Sequence, residues 1–141
     1  MRKIKALVID DSRVMRMMVM KSLNQTQLAE FEFVEAEDGA DGLTKLSANR
    51  PNIVFVDWNM PKMTGIDFVR QARASTENDT VPLVMVTSEK AMGKVMEAID
   101  QAGANGYICK PFTVEEMNQK LSPIFAKMEE KGGLFSKLIG G

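Results

Sequence analysis

The chain has 141 residues and no histidine. That absence removes Ser-His-Asp and Cys-His nucleophiles, histidine-ligated zinc, and any phosphohistidine on the chain itself. Its one cysteine, Cys109, cannot form an internal disulfide, and nothing points to an oxidising compartment. No apolar run approaches the ~18 residues of a membrane span. The run behind the basic start, Ala6–Ile9, is too short for a signal-peptide core. Neither sign of charge is in excess, with 18 basic and 19 acidic residues and a net charge of −1. A nucleic-acid module would carry a basic surplus. The expectation is a cytoplasmic protein with no membrane span and no nucleic-acid partner.

What is present is an ordinary globular mixture, 45% hydrophobic and 26% charged, of about one domain's length. Short β-branched apolar runs alternate with segments of helical period, the pattern of an α/β fold with a parallel sheet. The runs are Ile4–Ile9, Phe33–Ala36, Ile53–Val56, Leu83–Val86 and Tyr107–Cys109. Four are nearly all apolar, as strands covered on both faces must be. The run around Phe33 is flanked by Glu32 and Glu35, so it is the expected exposed edge.

Five helices are predicted over Ser12–Leu23, Ala40–Ala48, Ile66–Ala74, Glu89–Ala102 and from Thr113 to Met128. The first should bury Met15, Met18 and Leu23, its methionines acting as core filler. The fourth should bury Met92, Val95, Met96 and Ile99 and stop at Gly103. The fifth opens with a capping box, Thr113 and Glu116, and carries Met117, Leu121, Phe125 and Met128 in phase. Asp38-Gly39 and Asp41-Gly42 read as turn and cap chemistry. Five strand–helix pairs make one doubly wound (βα)5 domain over 1–131, followed by a short apolar tail, 132–141. Leu134, Phe135, Leu138 and Ile139 share a face of that tail if it is helical.

Two residues break local rules. Pro123 lies inside the last helical pattern, where proline costs ~3 kcal/mol. The apolar stripe keeps its phase across it, so one kinked helix is expected rather than a new one starting at Ser122-Pro123. Gly93 lies inside the fourth helix at a cost of ~1 kcal/mol.

Unusual polar residues fall where the apolar runs end. Asp10 and Asp11 follow the first run, Asp57 the third, Thr87 the fourth and Lys110 the fifth. Open parallel sheets bind ligands beyond the carboxyl ends of their strands, so five loci converge on the edge that carries chemistry. Each has a plain reading too. Asp11-Ser12 and Thr87-Ser88 can cap helices, Asp57 can be a turn residue, and Lys110-Pro111 an exposed turn. Their co-occurrence on one edge favours a site. Three carboxylates ~5 Å apart repel by ~3 kcal/mol per pair at an effective dielectric of ~20. They therefore call for a cation, and oxygen-only ligands select Mg²⁺ or Ca²⁺. Thr87 offers a hydroxyl and Lys110 a point charge, both suited to phosphoryl oxygens. Asp57 would be the nucleophile.

The motifs VIDDS, VDWNMPKMTGIDF around Asp57, VMVTSEK around Thr87 and GYICKPFT around Lys110 resemble the receiver domain of two-component response regulators. The likeness covers residues 3–128 and is strongest to single-domain chemotaxis regulators. It implies a flavodoxin-like fold with strand order 2-1-3-4-5 and helices on both faces. It implies Asp57 as phosphoacceptor, Mg²⁺ on Asp11, Asp57 and the Asn59 carbonyl, and Asp10 acting through a water. Thr87 and Lys110 would contact the phosphoryl group. Tyr107 would rotate inward on activation, Asn59 and Glu89 would tune phosphoryl lifetime, and Lys110-Pro111 would be cis. The implied partners are a histidine kinase and an output protein, a flagellar motor switch or another effector, on the surface of the fourth helix, fifth strand and fifth helix. The protein would be a monomeric switch that assists its own phosphorylation and dephosphorylation rather than an enzyme.

The competing class is a Mg²⁺-dependent aspartyl-nucleophile phosphatase. It wants a second carboxylate two residues past the nucleophile, where this chain has Asn59, and a cap over the site. A flavin-binding flavodoxin would need a hydroxyl- and glycine-rich phosphate loop where Asp10 and Asp11 stand.

Overall fold

Five strands, β1 (Lys3–Ile9), β2 (Glu30–Ala36), β3 (Ile53–Val56), β4 (Leu83–Thr87) and β5 (Gly106–Cys109), form one parallel sheet. Their order is β2-β1-β3-β4-β5, as the family resemblance implied. This computed structural model describes the backbone of residues 1–138 and the side chains of residues 1–129. Every residue of β3 and β4 is buried. These strands are covered on both faces, which explains their unbroken apolar runs. β2 alternates between exposed and half-buried positions and is the expected edge.

Helices α1 (Arg13–Thr26), α2 (Gly39–Asn49), α3 (Gly65–Ala74), α4 (Met92–Met96) and α5 (Val114–Leu138) follow the strands in turn. The first three have side-chain caps. Ser12, Asp38 and Thr64 accept from the backbone N–H three residues on, satisfying donors the helix leaves free. The box at α5 also forms: the Glu116 N–H donates to Thr113 Oγ1, and the Thr113 hydroxyl donates to the Glu116 carboxylate. α5 runs through Pro123 as one helix. Pro123 faces solvent, so its ring disturbs no packed surface. The tail side chains Leu134, Phe135, Leu138 and Ile139 lie outside the described residues.

α1 and α5 cover one face of the sheet, packing Val19, Leu23, Met117 and Leu121 against Ile4, Val8, Phe55 and Val84. α2, α3 and the α4 region cover the other, setting Leu46, Phe68, Val69 and Ala98 on Leu7, Ile9, Val54 and Met85. Burying each large aliphatic or aromatic chain is worth ~1.5–3 kcal/mol.

Two helix faces depart from expectation. α1 buries Val19, Leu23 and Thr26, while Val14, Met17 and Met18 are exposed. Its methionines are therefore not simply core filler. The fourth helix starts at Met92 rather than Glu89, and beyond Met96 it widens into a π-helical turn, Glu97–Ala102. Met92, Met96 and Ile99 point outward, and the buried contacts come from Ala98 and Ala102. The segment holds two stripes, one of large residues and one of alanine. The small stripe packs because it lets the backbone approach the sheet closely.

Candidate functional site

The strands β1, β3, β4 and β5 end at one edge of the sheet, and the polar residues that follow them meet there. Asp10 and Asp57 are buried and Asp11 is exposed. One carboxylate oxygen from each lies within 4.8 Å of the others. Lys110, two strands from Asp57, closes the gap with its long side chain. Its Nζ is 3.0 Å from Asp10 Oδ2 and 3.6 Å from Asp57 Oδ2. The Lys110–Pro111 bond is cis, as the resemblance implied.

Backbone donors orient the two buried acids. The Ser12 N–H donates to Asp10 Oδ1 at 2.9 Å, and the Trp58 N–H to Asp57 Oδ1 at 2.8 Å. Burial pushes the Asp57 carboxyl above its ordinary range, with a further push from Asp10. Lys110, the Thr87 hydroxyl and the Trp58 N–H pull the other way without overcoming it. Asp11 makes no hydrogen bond or ion pair among the described residues, so its carboxylate is open to a ligand. An all-oxygen cluster with one unbonded carboxylate fits a hard divalent cation, Mg²⁺ above all.

Ser12 caps α1, accepting from the Met15 N–H, so Asp11 is not the cap. Neither Thr87 nor Ser88 caps α4, whose N-cap Ala91 offers no side-chain bond. Lys110 is turned onto Asp10 and Asp57 and is not a solvated turn. Thr87 is fully buried, and its Oγ1 accepts from the Glu89 N–H. The Asn59 amide donates to the Glu89 carboxylate at 3.2 Å, so these two residues form one rim of the site.

Tyr107, the residue to which the resemblance gives an inward rotation, stands on β5 beside the site. The ring already lies inward, 7% exposed, and its hydroxyl donates to the Glu89 carbonyl at 2.7 Å. Burial within the α2–α3 face of the core stabilises that position, and the hydrogen bond satisfies the buried hydroxyl. Burial also pushes the phenol up to about 12.

Sequence reasoning passed over two residues here. A Cβ on Gly65 would sit 1.9 Å from the Asp57 carbonyl oxygen, so only glycine lets α3 start this close to the site. Its place inside the Asp57 motif, directly after the cap Thr64, was the available signal. Lys94 places its ammonium 4.7 Å from the Trp58 ring centroid, linking α4 to the residue after Asp57. No sequence spacing marks that pair.

With this geometry in place, the relatives are informative. Residues 6–122 match the response regulator receiver domain. The chain belongs to that family, a family of signalling switches whose members bind Mg²⁺ at an acidic pocket. It is 39% identical over 121 residues to the chemotaxis protein CheY1 of Helicobacter pylori, covering 85% of this chain and 95% of that one. It is 38% identical over 124 residues to the chemotaxis protein CheY of Pseudomonas aeruginosa, covering 88% and 98%. The structure of Vibrio cholerae chemotaxis protein CheY4 matches with a TM-score of 0.76 at 33% identity, over 86% of this chain and 98% of that one. Among the described residues, no helix is long and apolar enough to cross a membrane.

Proposed function

We propose that the chain is a phosphorylation-controlled switch of a two-component system, of chemotaxis type. It takes a phosphoryl group on Asp57 from a histidine kinase and changes its affinity for a protein partner. The observation that carries this reading is the meeting of three carboxylates within 4.8 Å with a lysine ammonium 3.6 Å from Asp57. Asp57 is a buried acid that accepts from the Trp58 N–H and has the Lys110 ammonium beside it.

In the transfer, an Asp57 carboxylate oxygen attacks phosphorus and the P–N bond of the donor breaks. The leaving imidazole keeps the electron pair and takes up a proton from solvent. The donor is another protein, because this chain has no histidine. Asp11, Asp57 and the Asn59 carbonyl would hold Mg²⁺, with Asp10 acting through a water. The ion supplies charge neutralisation at the phosphoryl oxygens. Lys110 swings its ammonium from the carboxylates to a phosphoryl oxygen, and Thr87 donates its hydroxyl to another. Asn59 and Glu89 screen the acyl phosphate from water and set its lifetime. Movement of Thr87 draws on the loop leading to α4, and the Tyr107–Glu89 bond passes it to the surface of α4, β5 and α5. The exposed Met92 and Met96 suit that surface to an output protein, the flagellar motor switch or another effector. The switch works as a monomer in the cytoplasm.

Incubation with Mg²⁺ and acetyl phosphate tests the assignment. Intact-mass measurement should show one acid-stable, hydroxylamine-labile phosphate on the wild type and none on Asp57→Ala. Phosphate retained by that variant at the wild-type level sinks it.

A further inference from the structure

The exposed carboxylate of Asp11 poses a problem. Among the described residues it has no hydrogen bond or ion pair of its own, yet its oxygen lies in the cluster with those of Asp10 and Asp57. Its direction must come from the backbone. The peptide that sets it is the one joining Asp10 to Asp11, a rigid plane containing the Asp10 carbonyl and the Asp11 nitrogen. Arg16, one turn into α1, reaches back and donates from Nη1 to that carbonyl at 2.6 Å. The same guanidinium donates from Nε to Glu35 Oε1 at 2.9 Å. Arg16 is largely buried, its side chain 13% exposed, and Glu35 stands on the edge strand β2.

We propose that Arg16 is a positioning residue for the acidic cluster: it locks the Asp10–Asp11 peptide plane and so aims Asp11 at the cation, with Glu35 setting the guanidinium. The proposal rests on reading the cluster as the Mg²⁺ site. With Arg16 in place, every polar atom of Asp10 is held. Its N–H donates to the Ala36 carbonyl, its carbonyl accepts from Arg16, and its two carboxylate oxygens accept from the Ser12 N–H and Lys110. Remove Arg16, and the one tether on the peptide plane itself among the described residues is lost.

The sign of the effect separates this role from a simple charge effect. Arg16 is a cation near a cation site, so on Coulombic grounds its neutralisation should tighten Mg²⁺ binding. On positional grounds it should weaken binding, because Asp11 loses its aim. Residues that orient metal ligands typically change affinity by 10–100-fold when replaced.

The test is a Mg²⁺ titration followed by Trp58 fluorescence on the whole chain. Arg16→Gln should raise the half-saturating Mg²⁺ by about tenfold. Glu35→Gln, at a more exposed position, should raise it by about threefold and covers the case in which Arg16→Gln fails to fold. Arg16→Lys, which keeps the charge but not the two-pronged reach, should fall between Arg16→Gln and wild type. The rate of phosphate uptake at saturating Mg²⁺ should stay within about twofold of wild type in all three. An unchanged or lower midpoint in Arg16→Gln and Glu35→Gln overturns the proposal, even if their melting temperatures fall. Asp11→Asn is the control for the underlying reading. If it too leaves the midpoint unmoved, the cluster is not the Mg²⁺ site; if it alone shifts, only the role of Arg16 is wrong.

Discussion

The two strand–helix junctions that flank the site, β1–α1 and β4–α4, are built in opposite ways. The first is tied down. Ser12 caps α1, Arg16 holds the Asp10 carbonyl, Lys110 holds its carboxylate, and Val19 and Leu23 anchor the helix in the core. The second is loose. α4 has five residues, none of them buried, no side-chain cap, a glycine in its interior and a π-helical turn behind it. Val95 packs half-buried on the core, and the other ties are single long side chains: Lys94 over Trp58, and the Glu97 carboxylate at the start of the π turn paired with Arg70 on α3. Cooperative openings tend to fall where buried contacts are few. A switch needs both kinds of junction. Its chemistry requires carboxylates that do not drift, and its output requires an element that little holds in place.

Two glycines sharpen that contrast, and the first carries the largest expected effect. Gly65 lies at the start of α3, where an added Cβ would meet the Asp57 carbonyl oxygen at 1.9 Å and its carbon at 2.7 Å. Backbone cannot rotate away as a side chain can. The Gly65 N–H also donates to the Trp58 carbonyl at 2.8 Å, so the two segments cannot part without losing that bond. Gly65→Ala is expected to cost about 3 kcal/mol or more, a severe case of overpacking. Urea unfolding should show it as a lower midpoint with an unchanged slope. A loss under about 1 kcal/mol would mean the site's floor is as yielding as α4, and the contrast would fail.

The next effect concerns the charge stored at the rigid end. The folded Asp57 carboxyl titrates above its ordinary value because burial outweighs Lys110. A raised acid contributes stability below its unfolded pKa, near 3.9, and loses it as pH rises through the folded value. Without Mg²⁺, Asp57→Asn should therefore be more stable than wild type at neutral pH. The gain is what remains of the burial penalty after the attraction to Lys110 is subtracted, on the order of 1 kcal/mol, since each unit of pKa shift is worth about 1.4 kcal/mol. The gain should shrink with falling pH and vanish below the unfolded pKa. Thermal melts from neutral pH down to that limit, with a chelator present, check it. A gain independent of pH would assign the effect to packing and not to charge.

The same contrast explains what was legible in the sequence. Strands read clearly because β3 and β4 are buried on both faces and cannot afford a polar residue until they reach the site. That is also why Asp57 and Thr87 stood out: each is the first polar residue after an apolar run. Caps at Asp38 and Thr113 read from local chemistry alone. The helix faces of α1 and α4 did not, because apolar residues recur on more than one face of each and periodicity alone cannot choose between them. Arg16, set between Met15 and Met17, looks like any solvated charge, since its partner Asp10 lies before the helix and Glu35 on another strand. The partner of the buried Tyr107 hydroxyl is a backbone carbonyl, that of Glu89, which leaves no mark on residue type.

The smallest expected effect falls on the other glycine, Gly93, and bears most directly on whether α4 is loose by design of its sequence. A Cβ built there meets nothing within 4 Å, and the residue is exposed. Alanine would therefore collide with nothing, improve helix propensity by ~1 kcal/mol, and narrow the freedom of the unfolded segment. Because Met92–Met96 buries no residue of its own, the gain should appear mainly in the local opening of α4 rather than in global unfolding. Amide exchange across Met92–Met96 should slow by about fivefold in Gly93→Ala, while exchange in α1 stays unchanged. Phosphate uptake with acetyl phosphate should also be unaltered, since the residue lies outside the acidic cluster. What should change is the response: with beryllofluoride bound, the exchange difference across residues 89–110 should be smaller than in wild type, because a stiffer α4 shifts less for the same differential interaction at the site. Two results would break the comparison. One is wild-type α4 exchanging no faster than α1. The other is Gly93→Ala slowing exchange while leaving the beryllofluoride response at its full size, which would place the moving element elsewhere than in α4.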